Sequence, residues 1–173
     1  CPFALVVDAL VEASRSAPLR GIVTAGPLDS RTAFAHFLPR QLASLLKEAV
    51  REVDRVGRYG GEEFMLLLSG TVLDAAVTFA ERVRKRVEAH TFTFEGGTLQ
   101  RTASFGVAAW PHPRIPNCDA LVKAADDALY VAKETGRNRV IRFDGEEFNE
   151  HISAENGTHE HDPAADGGAL RAG

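Results

Sequence analysis

Apolar residues follow two different spacings along this chain, and each change of spacing marks an element. Leu42, Leu45, Leu46, Ala49 and Val53 recur every three or four positions, which predicts an amphipathic helix over 41–53. The segment Arg55–Tyr59, the pair Gly60-Gly61 and the apolar run Phe64–Leu68 come next. Two strands joined by a glycine-rich turn predict a hairpin. Glycine suits such a turn because positive φ has no steric cost without a Cβ. A capping-box-like Thr71-Val72-Leu73-Asp74 opens a second helix, with Ala76, Phe79, Ala80, Val83 and Val87 on its inner face. Thr91–Phe94 and Thr102–Ala109 read as another hairpin, turning near Gly96-Gly97. Asn117 is placed to cap a third helix bearing Leu121, Val122, Ala125, Leu129 and Ala132, and Gly136 to end it. Val140–Phe143 is a last short strand.

The flanks read differently. Phe3-Ala4-Leu5-Val6-Val7 favours β structure, ends at Asp8 and predicts a buried strand. Across 9–40, Pro18, Pro27 and Pro39 with Gly21 and Gly26 interrupt any long element. Residues 145–173 are rich in Gly, Glu, His and Asp without periodicity, and disorder is expected there. The chain thus divides into an atypical N-terminal part (1–40), a patterned core (41–143) and an acidic tail (144–173). Strand, helix, hairpin, helix, hairpin, helix, strand in that order predicts an α/β sandwich, with helices packed on a mainly antiparallel sheet.

Composition narrows the class without naming a chemistry. With 173 residues there is room for one domain, and 45% hydrophobic with 25% charged residues suits a globular protein. No apolar run approaches the about 20 residues of a membrane helix. The start lacks the charged segment of a secretory leader, so a cytoplasmic domain is expected. Cys1 stands where Met would begin a complete chain, so a fragment with unseen upstream sequence is expected. Cys1 and Cys118 form no disulfide framework or metal-ligand spacing. Residues 144–173 hold eight acids and one base, which leaves the remainder of this −4 chain mildly basic. Such a body suits an anionic ligand such as a nucleotide. His151, His159 and His161 are irregularly spaced in the polar tail and read as solvated.

The candidate chemistry sits at Gly60-Gly61-Glu62-Glu63-Phe64. Two glycines let the backbone approach a phosphate, and N–H groups in a turn cradle an anion. Two adjacent carboxylates supply the oxygen ligands that magnesium prefers when it bridges to phosphates. The plain alternative is an ordinary hairpin with solvated glutamates. A near-repeat at Gly145-Glu146-Glu147-Phe148 has no apolar strand after it and reads as chance.

The stretch Arg51-Glu52-Val53-Asp54-Arg55-Val56-Gly57-Arg58-Tyr59-Gly60-Gly61-Glu62-Glu63-Phe64 resembles the core of the GGDEF family of diguanylate cyclases. Thr102-Ala103-Ser104-Phe105-Gly106-Val107-Ala108 is similar to that family's second hairpin strand, and residues 125–140 to its closing helix and strand. The resemblance implies the nucleotidyl-cyclase-like fold, a ferredoxin-like palm. It also implies a homodimer that condenses two GTP molecules into cyclic di-GMP with Mg2+ or Mn2+. Carried over by position, Glu62 and Glu63 would be catalytic and metal-binding, with Asp8 in the place of the other metal carboxylate. Gly60 and Gly61 would lie against the nucleotide. Lys133 and Arg137, four apart on one helical face, would meet its phosphates. Arg51 and Asp54 match the family's product-inhibition site: Arg bonds guanine O6 and N7 while Asp accepts from the base edge. The alternative for that pair is a surface contact at a helix end. A sensor or receiver domain upstream would be the implied regulatory partner, and no nucleic-acid polymer is implied.

The family's first half is not legible. Residues 9–40 lack its Asn and Gly-His…Gly-Asp pattern of guanine contacts, and Ala9-Leu10-Val11 follows Asp8. The abrupt return of pattern at Leu42 favours a shifted reading frame over an insertion or a boundary effect. An active cyclase, a degenerate module that binds cyclic di-GMP, and a fragment that folds poorly are the three readings this leaves.

Overall fold

The computed structural model describes residues 3–11, 30–59, 63–94 and 97–157. In chain order these form β1 (Phe3–Val11), α1 (Ser30–Ala49), β2 (Arg55–Arg58), β3 (Glu63–Ser69), α2 (Leu73–Ala89), β4 (Thr91–Phe94), β5 (Gly97–Gln100), β6 (Thr102–Trp110), α3 (Cys118–Glu134), β7 (Val140–Arg142) and α4 (Glu146–Gly157). Five strands build one sheet in the order β2-β3-β1-β6-β7. Every junction is antiparallel except β6–β7.

Alternation along the strands assigns the two faces of the sheet. On β3, Phe64, Leu66 and Leu68 are buried and join Leu42, Leu46, Ala80, Val83 and Val87 of α1 and α2 in one core. Met65 and Leu67 lie on the opposite face, in the core built around α3. On β6, Phe105 and Val107 fill the α1/α2 side, while Ser104, Gly106 and Ala108 keep the α3 side small. Ala124, Ala125 and Ala128 of α3 are buried. Small residues on both partners let helix and sheet approach closely. A Cβ on Gly106 would overlap the backbone of Ala125 and Leu129, so that approach has no room for a side chain.

Several elements differ from their sequence-based expectations. The predicted helix over 41–53 spans Ser30–Ala49, so the expected break at residue 40 falls inside α1. Leu38 extends the buried stripe one turn upstream of Leu42 and Leu45. Pro39 lacks the N–H that would bond one turn back, yet the helix continues through it. Val53 is 60% exposed, because the chain has already turned toward β2. The Thr71–Asp74 capping box does not form. Val72 is the N-cap without a side-chain bond, and Thr71 Oγ1 donates to the Ser69 carbonyl instead. Thr91–Phe94 pairs with Gly97–Gln100 as a separate ribbon, not with β6. Asn117 does cap α3: its Oδ1 accepts from Ala120 N–H at 2.8 Å.

The expected disorder from residue 144 does not hold over Glu146–Gly157, which is helical. Phe148 is buried against Phe143 with ring centroids 5.1 Å apart, and Ile152 packs one turn later. Glu146 and Glu147 in the first turn favour the positive end of the helix dipole. Residues 158–173 of the tail, including His159 and His161, lie outside the described residues. His151 is half-buried in α4 beside Tyr130, not solvated.

Asp144 ties the turn before α4 to the loop after β6. Its Oδ1 accepts from Arg114 Nη1 at 2.6 Å, and its Oδ2 lies 3.2 Å from His112 Nε2. Burial pushes its carboxyl upward, but the Asn149 hydrogen bond and the charges of Arg114 and His112 outweigh it and leave it below the ordinary value of 3.8. A folded pKa below the unfolded one stabilises the fold above the unfolded value, and that gain is lost as pH falls through the folded pKa. Asp144→Asn is therefore expected to lower the urea midpoint at pH 7. The difference from wild type should shrink as pH is taken below 3.8, and a difference independent of pH would contradict this assignment.

Candidate active site

The β2–β3 hairpin presents its turn at one end of the sheet. Arg58 stands opposite Phe64, and the Tyr59 N–H donates to the Glu63 carbonyl at 2.8 Å. That rung is the last before the turn. Gly60, Gly61 and Glu62 lie outside the described residues.

Glu63 is the first residue of β3. Its Oε1 accepts from Lys133 Nζ at 3.0 Å, across 70 residues of sequence. Lys133 occupies the last turn of α3. Both side chains are about one-third exposed, so the pair contributes less than about 1 kcal/mol to stability. Its consequence is positional, because it sets a cation beside a carboxylate at the turn.

β1 brings a second acid to the same end. In register, Asp8 stands opposite Phe64 on one side and Phe105 on the other, and Ala9 stands opposite Glu63. Glu63 lies on the α3 face, beside Lys133, and the backbone register sets Asp8 one position from it across the β1–β3 ladder. Carboxylate oxygens are the donors that magnesium or manganese takes, so these residue types fit the implied ion. Among the described residues, no three His, Cys, Asp or Glu side chains gather into a metal-binding group.

Arg137 departs from the sequence reading. The spacing of four put it on the helical face of Lys133, but α3 ends at Glu134. Gly136, Arg137 and Asn138 follow with φ of 124°, 61° and 48°. Arg137 is exposed in a left-handed loop beyond the helix, reached because Gly136 breaks the helical path.

Two clefts adjoin the hairpin. One, of about 280 Å3, lies between α1 and β2 and is lined by Arg40, Lys47, Arg58 and Phe64 among others. It abuts the turn and is cationic, a feature the unpatterned residues up to 40 concealed. The other, of about 340 Å3, lies at the far end of the hairpin and includes Arg51, Asp54, Phe79 and Arg82. Strand rise puts the two ends of β3 about 20 Å apart. Asp54 is 7% exposed, and its oxygens accept from the Arg51 and Ser69 N–H groups, each at 3.0 Å. It thus ties the end of α1 to the end of β3, a structural role the sequence did not reveal. Carboxylate oxygens keep further acceptor capacity after one bond each. Arg82 was also missed, because it sits in a cationic helix face where no spacing distinguishes it. Its guanidinium lies 5.3 Å from the Phe79 ring centre.

Comparisons with known proteins identify the family. The family profile described as "Diguanylate cyclase, GGDEF domain" matches residues 37–139. Diguanylate cyclase A of Treponema denticola is 39% identical over 100 residues, which is 58% of this chain and 27% of that protein. The chain therefore spans about a quarter of the length of that curated relative. The GGDEF domain of YfiN (TpbB) from Pseudomonas aeruginosa superposes with a TM-score of 0.66 at 22% identity, covering 83% of each chain. That of DgcB from Caulobacter crescentus, in complex with c-di-GMP, gives 0.62 at 21% identity, covering 83% of this chain and 79% of that one. The match runs through α1, the glycine-acid hairpin, β6 and the Lys133 helix, the same parts that converge at this end of the sheet, and the chain belongs to the GGDEF family of diguanylate cyclase domains.

Proposed function

We propose that this chain is a GTP-dependent diguanylate cyclase that acts as a homodimer in the cytoplasm. The observation that carries the reading is the meeting of three segments at the hairpin turn. Glu63 at the start of β3, Asp8 of β1 and Lys133 of α3 come from distant parts of the sequence and reach one end of the sheet.

The residues divide by charge. Glu63 is paired with Lys133, and Asp8 of β1 stands in register beside the start of β3. Asp8 and Glu62 would then hold a magnesium or manganese ion, with Glu63 beside them. When bound, that ion neutralises phosphate charge and lowers the pKa of a nearby hydroxyl. Gly60 and Gly61 admit the triphosphate close to the backbone, and Lys133 with Arg137 meets its oxygens. The cationic cleft beside Arg58 suits the same polyanion.

One such site holds one nucleotide, which is why the reaction needs two copies facing each other. The 3′-oxygen of one GTP forms a bond to the α-phosphorus of the other. The bond from that phosphorus to the bridging oxygen breaks, and pyrophosphate leaves. A second, reciprocal transfer closes the ring. Orientation of the two nucleotides supplies much of such a rate enhancement.

Product inhibition would use the far cleft. Arg51 and Arg82 present guanidinium groups that match the acceptor pair of a guanine edge, and Asp54 holds Arg51 in place through its backbone.

Two measurements test this. Incubation with GTP and Mg2+ should yield cyclic di-GMP, and Glu62→Ala should reduce the rate at least about 100-fold. No product at high protein concentration would refute the activity for this chain. In calorimetry, Arg51→Ala should weaken cyclic di-GMP binding about tenfold or more. Tight binding without turnover would instead mark a degenerate binding module, and undiminished binding in Arg51→Ala would remove the inhibitory site.

A further inference from the structure

The loop that carries Arg137 is held by a network that the activity as proposed does not use. Gly136, Arg137 and Asn138 have positive φ in succession. Only the first is glycine, and a non-glycine residue in this region costs about 1–3 kcal/mol unless its surroundings hold it there. The Arg137 N–H donates to the Ala132 carbonyl at 2.9 Å, and the Asn138 N–H donates to Ser104 Oγ at 3.0 Å. Ser104 is fully buried in β6.

The side chain of Asn138 is gripped from the other layer of the fold. Its Oδ1 accepts from Arg84 Nη1 at 2.8 Å, and its Nδ2 donates to Glu88 Oε1 at 2.7 Å. Arg84 also donates to Glu88 Oε2 at 3.1 Å and to Glu81 Oε2 at 3.0 Å, and its side chain is only 13% exposed. Amide, guanidinium and carboxylate thus form a closed triangle in which each member bonds both others. The Glu88 carboxyl is held below its ordinary value, with the Asn138 hydrogen bond the largest cause. A surface ion pair on a helix needs no third partner. Here the helical pair grips a residue 50 positions away in sequence, next to the exposed arginine.

We propose that Arg84 and Glu88 of α2 are positioning residues for triphosphate binding: by clamping Asn138 they fix the left-handed backbone that presents Arg137. This rests on the proposed function for the role of Arg137, while the clamp itself rests on geometry alone. Arg84 and Glu88 touch no substrate in this account; they act through Asn138.

The test uses 3′-deoxy-GTP with Mg2+, which cannot supply the attacking hydroxyl, and calorimetry on wild type, Arg84→Gln, Asn138→Gly, Arg137→Ala and the double variants. Asn138→Gly keeps the freedom to adopt positive φ and removes only the side-chain grip. Arg84→Gln and Asn138→Gly should each weaken binding about tenfold, and neither should weaken it further when Arg137 is already Ala. Additive losses, or unchanged binding in Arg84→Gln, would overturn the proposal. Hydrogen exchange read alongside separates its failure from that of the proposed function. In Arg84→Gln, the Arg137 and Asn138 amides should exchange about tenfold faster while those of β6 beyond Phe105 stay unchanged. If wild type fails to bind the analogue, the proposed function fails and this exchange pattern decides the clamp. Unchanged exchange at 137–138 refutes it.

Discussion

The site depends on how β1 pairs in the middle of the sheet. β1 is bonded to β3 on one side and to β6 on the other, so the strand before the turn and the strand under α3 are both registered against it. A slip of one residue would bring Val7 or Ala9 opposite Phe64 and Phe105 and carry Asp8 away from its place in register. The register keeps Asp8 level with the start of β3.

A second dependence runs through the α3 layer. Ser104, Gly106 and Ala108 on β6 face the alanine-rich side of α3, and the close approach at Gly106 seats the helix on the sheet. The seated helix carries Lys133 to within hydrogen-bond distance of Glu63. It then ends in the loop that Ser104, Arg84 and Glu88 secure. Packing that would otherwise concern stability alone thus sets where two cations stand relative to the turn. The β2–β3 ladder runs from this end to the Arg51–Asp54 end, so the two clefts adjoin one pair of strands.

Much of this was legible in the sequence. The core from Leu42 onward follows clear periods, and Asn117 and Gly136 punctuate it as their backbone chemistry requires. What escaped reading had physical reasons. α1 starts upstream because a helix can run through Pro39 when its flanking leucines are buried. α4 adds only Phe148 and Ile152 to the α3 core, too few apolar positions to make a period. The four-residue spacing of Lys133 and Arg137 suggested one helical face, but a glycine intervenes and the helix stops first. Asp54 reads as a ligand-binding acid, yet both oxygens already serve backbone N–H groups, and no spacing rule reveals that.

The proposed function requires Asp8 and the acids of the turn to act on one metal ion despite the unpatterned residues between β1 and α1. Manganese binding in the presence of 3′-deoxy-GTP, followed by electron paramagnetic resonance, tests it most directly. Asp8→Asn and Glu62→Gln should each abolish the bound-ion signal while Asp54→Asn leaves it. A bound-ion signal in Asp8→Asn equal to wild type would show that β1 contributes no ligand, and would contradict the account.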